Sequence, residues 1–210
     1  MKASHDIFHA KGFGKFAPWV DLANSEEWDG FGKLTDHLAN PLWLATFLKH
    51  WKLHSRLPKK VPRRELLRLR ALLRRAAEKF AAGRSLSRAE LSKLNRALKV
   101  PARQRFVENQ NGFRAELVPL KPTWNWVIAR IATSLGEMLQ NRGAERIKTC
   151  ANSGCRWVFY DTTKARTKCW CNDRTCGNRA RVRRARSAHR RIIRKVRQLR
   201  NQPTSQERRV

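Results

Sequence analysis

Apolar residues recur every three or four positions in four stretches of the chain, and each repeat predicts a helix. Leu44, Phe47, Leu48 and Trp51 mark the first, opened by Asn40-Pro41, with Asn as cap and Pro in the first turn. Leu66, Leu69, Leu73, Ala76, Ala77 and Phe80 mark a longer one from about Arg63 to Ala82, with Arg and Lys between them and Gly83 at its end. Ser87-Arg88-Ala89-Glu90 is a capping box ahead of Leu91, Leu94 and Leu98, and Pro101 stops that third helix. Thr123 caps the fourth, whose buried stripe is Val127, Ile131, Leu135 and Met138, and Gly143 ends it.

Strand patterns are fewer. Asn111-Gly112 suits the two positive-φ positions of a type I′ turn, flanked by Phe106-Val107 and by alternation from Phe113 to Leu117, so a β-hairpin is expected there. Trp157 to Tyr160 reads as a short strand, with Asp161-Thr162-Thr163-Lys164 as its turn and a return through Lys168 to Cys171. The fold class is therefore α+β.

Charge changes this picture most. The 210 residues carry a formal net charge of +31. Residues 1–56 hold 7 Lys and Arg against 6 acids, residues 57–141 hold 19 against 6, and residues 142–210 hold 21 against 4. Such a field attracts polyanions, meaning nucleic acid or an anionic surface. The longest apolar runs, such as Leu42 to Ala45, are too short to cross a bilayer. All five cysteines lie between 150 and 176, and no charged-then-apolar leader opens the chain. These features point to a reducing, cytoplasmic protein that spans no membrane.

The cysteines form two matched pairs, Cys150-x4-Cys155 and Cys171-x4-Cys176, a spacing suited to one structural, four-thiolate zinc ion. Cys169 lies two residues before Cys171, on the same face if the segment is extended. The matched spacing favours Cys171 as the ligand and leaves Cys169 a spare thiol. A closed four-thiolate site has no open position for water, so it is structural.

A helix is expected to start at about Cys176. Projected at about 100° per residue, Val182, Ala185, His189, Ile192, Val196 and Leu199 share one side. Arg179, Arg183, Arg186, Arg190, Arg194 and Arg197 fall within an arc of about 80° beside it. Eleven of the 22 residues from Arg179 to Arg200 are Arg or Lys and none is acidic. Repulsion between like charges four apart strains such a helix, and a phosphate backbone would relieve it. Gly177 is expected to let backbone approach the sulfurs, and Asn178 either caps the helix or meets phosphate.

Cys150-Ala-Asn-Ser-Gly-Cys155, Trp157 to Asp161, Trp170-Cys171 and Cys176-Gly177-Asn178-Arg179-Ala180-Arg181-Val182 closely resemble the CGNR zinc finger. Val20-Asp21-Leu22-Ala23-Asn24 and the stretch from Leu66 to Leu98 look like the ABATE domain that usually precedes it, in bacterial stress-induced transcription regulators. The resemblance implies a zinc-ribbon-like module, a β-hairpin plus helix, behind a mainly helical domain with its own hairpin. The expected organisation is a flexible basic stretch over 1–17, an ABATE-like domain over 18–143, the finger and basic helix over 144–200, and a flexible tail over 201–210.

The expected function is DNA binding by a transcription regulator, with double-stranded DNA meeting Arg179, Arg181, Arg183, Arg184, Arg186, Arg190, Arg191 and Arg194. Most of these would contact phosphates, and Arg179 or Arg183 would reach base edges. By analogy with other regulators, the ABATE-like domain would dimerise or bind a small effector. An RNA-binding ribbon is the alternative, with Trp157, Phe159, Tyr160 and Trp170 stacking on bases or else forming the finger's core. An enzyme ranks third: Asp21, Glu26, Glu27, Asp29, Asp36, His37 and His50 gather near the N-terminus, but their spacing matches no catalytic arrangement.

Overall fold

The structure is a computed structural model that describes residue 13 and residues 16–53, 57–109 and 112–200. Of the expected flexible segments, residues 1–12, 14 and 15 of the first and all of 201–210 fall outside the described residues.

Among the described residues, six α-helices and three two-stranded antiparallel sheets make up an α+β fold. Helix α1 (Pro18–Asn24) has Pro in its first turn, and every residue after Pro18 is buried, including Asp21 and Asn24. Its Trp19, Val20, Leu22 and Ala23 sit against α3 (Arg63–Ala81) and α5 (Trp124–Arg142). The buried Asp21 carboxylate accepts from Trp51 Nε1 at 2.8 Å. Strands β1 (Glu26–Trp28) and β2 (Leu34–Asp36) follow as a ribbon pairing Glu26 with Asp36.

Helix α2 (Pro41–His50) is capped by Asn40, whose side chain accepts from Leu42 N. Helix α4 (Arg88–Ala97) carries the Ser87–Glu90 capping box, and Lys79 of α3 joins it through Glu90. Those donors hold the Glu90 carboxyl down at about 2, with the Lys79 hydrogen bond as the chief cause. Leu94 is the one buried residue of α4. Helix α5 is capped by Thr123 and stops at Gly143, which takes a φ of 78°.

Helix α3 departs from expectation. Two of the arginines between its leucines, Arg70 and Arg74, are buried on the core side. Arg70 forks onto both oxygens of Asp36 and hydrogen-bonds Ser25 Oγ. Arg74 donates to the carbonyls of Ala23 at 2.8 Å, Glu26 at 3.3 Å and Arg156 at 3.0 Å. Burial lowers the Arg74 guanidinium below its ordinary range, opposed by Glu26. Such guanidinium groups stay inside because acceptors meet most of their donors.

The expected hairpin forms from β3 (Ala102–Asn109) and β4 (Gly112–Pro119), with a shifted turn. Asn109 pairs with Gly112, and Gln110 and Asn111 lie outside the described residues. Gly112, with a φ of 99°, belongs to the last rung rather than to the turn. Phe106 and Phe113, 82% and 75% exposed, share one face of this ribbon.

Strand β6 (Val158–Tyr160) pairs with β5 (Ile147–Thr149), a strand the sequence reading missed, and not with the segment returning towards Cys171. Ile147, Val158 and Tyr160 enter the same apolar cluster as Trp19, Leu73 and Val127. The Asn24 amide lies along β6, donating to Val158 O and accepting from Val158 N, both at 2.8 Å. A side chain thus supplies the missing neighbour strand, and no backbone group of Val158 is buried unpaired.

Candidate metal centre and basic helix

The metal ligands sit on two short loops whose backbones are shaped by asparagines. After β5, the chain turns at Asn152, whose carbonyl accepts from Cys155 N at 2.8 Å and Arg156 N at 3.3 Å. Cys150 N donates to Trp157 O at 2.8 Å and closes this knuckle. In the second loop Asn172 Oδ1 accepts from Arg174 N and Thr175 N, opening a wide helical turn over Asp173–Gly177 that carries Cys176 inward. Ala151 N bonds to Cys169 O at 2.9 Å and fastens the loops together. The fully buried Asp161 holds the approach to the second loop, accepting from Thr163 N, Thr163 Oγ1 and Lys168 N. Burial works to raise the Asp161 carboxyl, but these donors outweigh it and keep it below its ordinary value.

The sulfurs of Cys150, Cys155, Cys171 and Cys176 all lie within 4.8 Å of one another. Cys155 Sγ is 3.7 Å from Cys171 Sγ, and Cys171 Sγ is 3.8 Å from Cys176 Sγ. A regular tetrahedron with Zn–S bonds of about 2.3 Å has S···S edges of about 3.8 Å, so the cluster fits zinc. The Cys150 thiol resists ionising here: the hydrogen bond with Cys155 is the chief cause that pushes it up to about 11. A dication removes that penalty, because it binds the thiolate and expels the proton. Asn152 Nδ2 points at Cys176 Sγ from 3.8 Å, an N–H aimed at a ligand sulfur. Cys169 is exposed, faces Thr167 O, and stands outside the cluster.

Helix α6 (Asn178–Arg200) follows directly from the last ligand. The space beside Gly177 is bounded by side chains rather than by the sulfurs: a Cβ there would come within 3.2 Å of the Trp170 ring and 3.3 Å of Asp173 Oδ1, and would press on both. Ala180 is buried, and residues 181–198 are all exposed. The side with Val182, Ile192 and Val196 is therefore uncovered, and the side chain of Leu199 lies outside the described residues.

The ABATE pattern, described as "Putative stress-induced transcription regulator", matches residues 17–141, and the CGNR zinc finger matches residues 146–189. The chain belongs to the ABATE family. Its cysteine cluster is the structural zinc site of a CGNR finger. A comparison with curated proteins gave no match.

The ABATE domain and the finger meet at the start of α6. Gly30 N donates to Gly154 O at 2.9 Å, and Asn152 Nδ2 donates to Gly30 O at 3.1 Å. Arg179 donates to Asp29 O at 2.7 Å and lies 4.2 Å over the Phe31 ring. Arg183 reaches Asn152 Oδ1 at 3.3 Å, and Arg181 reaches Asp173 O at 3.2 Å. No carboxylate pairs with an α6 arginine among the described residues, so Arg184, Arg186, Arg190, Arg191 and Arg194 face solvent without an acid. A groove of about 590 Å³ runs between α6, the loop at Gly30-Phe31 and the knuckle at Asn152 to Gly154.

The sequence reading missed Asn152, Gly30 and Phe31. Asp29-Gly30 and Gly32 form a turn signal that could have marked this loop. Of the finger's aromatics, Phe159 and Tyr160 are buried, while Trp157 and Trp170 pack against the cysteines. Among the described residues the acids near the N-terminus form no metal-ligating group, though Glu26 and Asp36 share Arg70. Glu27 meets His37, Asp36 meets Arg70, and Asp29 Oδ1 accepts from Phe31 N and Lys33 N. His50 stacks on Phe13 and edges Trp51. Neither matched family is enzymatic, and no described helix is long and apolar enough to cross a membrane.

Proposed function

We propose that the protein is a transcription regulator that binds double-stranded DNA through α6. The observation carrying this reading is an arginine-dense helix anchored at a zinc site and exposed throughout 181–198. Bound zinc supplies four metal–thiolate bonds that hold the two loops together. Asn152 and Asn172 shape those loops, and Trp170 packs over Gly177 so that α6 leaves the cluster in one direction.

The arginines divide by partner. Arg179, Arg181 and Arg183 have protein acceptors and orient the helix, which tempers the expectation that Arg179 reads a base. Arg184, Arg186, Arg190, Arg191 and Arg194 neutralise phosphates. A row of like side chains supplies affinity and register more than sequence discrimination. The burial of Phe159 and Tyr160 favours duplex DNA over unpaired RNA, because those rings have no face free for a base.

Replacing Arg186, Arg190 and Arg194 together with Ala tests the reading. Fluorescence anisotropy on a mixed-sequence duplex should show weaker binding and a salt slope shallower by about 2 to 3. Unchanged affinity at low salt would remove α6 from the interface, and stronger competition by single-stranded RNA than by duplex at equal salt would reassign the partner.

A further inference from the structure

Phe31 is 80% exposed, yet its loop is braced by hydrogen bonds on both sides of the ring. Asp29 Oδ1 accepts from Phe31 N at 2.7 Å and Lys33 N at 3.1 Å, and Asp29 N donates to Lys33 O at 3.1 Å. Gly30, with a φ of 90°, is bonded on one side to Gly154 and on the other to Asn152. Neither glycine tolerates a side chain: a Cβ on Gly154 would come 2.9 Å from Gly30 O, and one on Gly30 would collide with the Arg179 guanidinium. The loop is built to lie against the finger, and it sets an apolar ring at the edge of the arginine groove.

The guanidinium of Arg179, 4.2 Å from the ring centre, covers one face of Phe31. A ring whose sole task was to hold Arg179 would gain by being packed, since burying a Phe side chain yields roughly 1.5–3 kcal/mol. Here most of the ring stays in water, at the edge of a groove that Arg183, Arg186 and Arg190 also line. In a duplex the base faces are stacked on one another. An exposed ring held by a cation on one side therefore meets a base through the thymine methyl in a groove or as a wedge between base steps.

We propose that Phe31, supplied by the ABATE domain, is a nucleic-acid contact: its ring meets a DNA base while Arg186 and Arg190 hold the flanking phosphates. This rests on the DNA-binding reading of α6. It makes the interface composite, with the finger supplying charge and the ABATE domain an uncharged contact that salt does not screen.

The test uses the full-length, zinc-loaded protein, a fluorescein-labelled mixed-sequence duplex and a salt series. Phe31→Ala should weaken binding about 10-fold at every salt concentration with the slope unchanged, as expected for one lost base contact. Phe31→Trp should restore it, and zinc content should stay the same in both. In an Arg179→Ala background, Phe31→Ala should still cost about 10-fold. Unaltered affinity in Phe31→Ala overturns the proposal while leaving α6 as the DNA helix. A shallower slope, or no further loss in the Arg179→Ala background, also overturns it, because the ring would then act only through Arg179. A wild-type protein that shows no salt-dependent duplex binding takes both readings down.

Discussion

Helices α3 and α6 have nearly the same recipe, arginines spaced among aliphatic residues, and they do opposite things with it. In α3 the aliphatic face is buried, and Arg70 and Arg74 go in with it, towards Asp36 and three carbonyls. In α6 the aliphatic side is uncovered and no carboxylate answers the arginines among the described residues. Local sequence sets the amphipathic pattern, but the acceptors decide whether a guanidinium becomes part of the frame or part of a surface. Those acceptors lie far away along the chain. Asp36 is 34 residues from Arg70, and the Arg156 carbonyl is 82 from Arg74.

Removing zinc should separate the two helices most sharply. Cys176→Ser should take bound zinc from one ion per chain to none by mass spectrometry, and α6 should lose its start and its helical circular dichroism. Helix α3 should survive, since Ile147 and Val158 remain inside its core. Hydrogen exchange checks this: amides of α3 should keep protection while those of α6 lose it. Loss of protection in both would mean that one folding unit includes the metal.

A smaller effect divides the arginines. Arg74→Ala should cost about 3–5 kcal/mol in urea unfolding, because three carbonyls lose a buried cationic donor. Arg186→Ala, on an exposed position, should leave the urea midpoint where it was. Equal effects at the two positions would erase the distinction between frame and surface.

The smallest effect is a pH dependence confined to the α3 side. Burial tends to raise the Asp36 carboxyl, but the Arg70 hydrogen bonds hold it below its ordinary value of 3.8. A carboxyl lowered by folding stabilises the protein above its unfolded pKa, and that contribution disappears as pH falls through the folded one. Asp36→Asn should therefore cost about 1–2 kcal/mol near neutral pH, a modest figure because water partly screens this pair. The gap from wild type should close as pH drops below about 3.8. A gap constant down to acid pH would show that shape, and not charge, holds Arg70.

What was legible in the sequence was local. The Asn40 and Thr123 caps, the Ser87–Glu90 box, the glycine stops and the matched cysteine spacing each act within a few residues, and each stands in the structure. What escaped depends on distant partners. Strand β5 spans three residues and acquires its meaning only from β6 and α3. Asn24 resembles any helix-ending asparagine until Val158, 134 residues on, completes its amide pair. The loop from Asp29 to Lys33 escaped because nothing nearby reveals that Gly154 will press against Gly30.

The amide pair between Asn24 and Val158 carries a consequence in time. Synthesis delivers α1 early, but its closing partner, with Ile147 and Tyr160, comes only after α5 is complete. At about 5–20 residues per second, the ribosome spends roughly one to four seconds between the end of α5 and Tyr160. For that interval the nascent domain has an open edge, and Arg74 lacks one of its carbonyls. The domain is thus sealed from behind, by residues that belong to the finger, so a chain cut short at the end of α5 would leave the ribosome with its core unclosed.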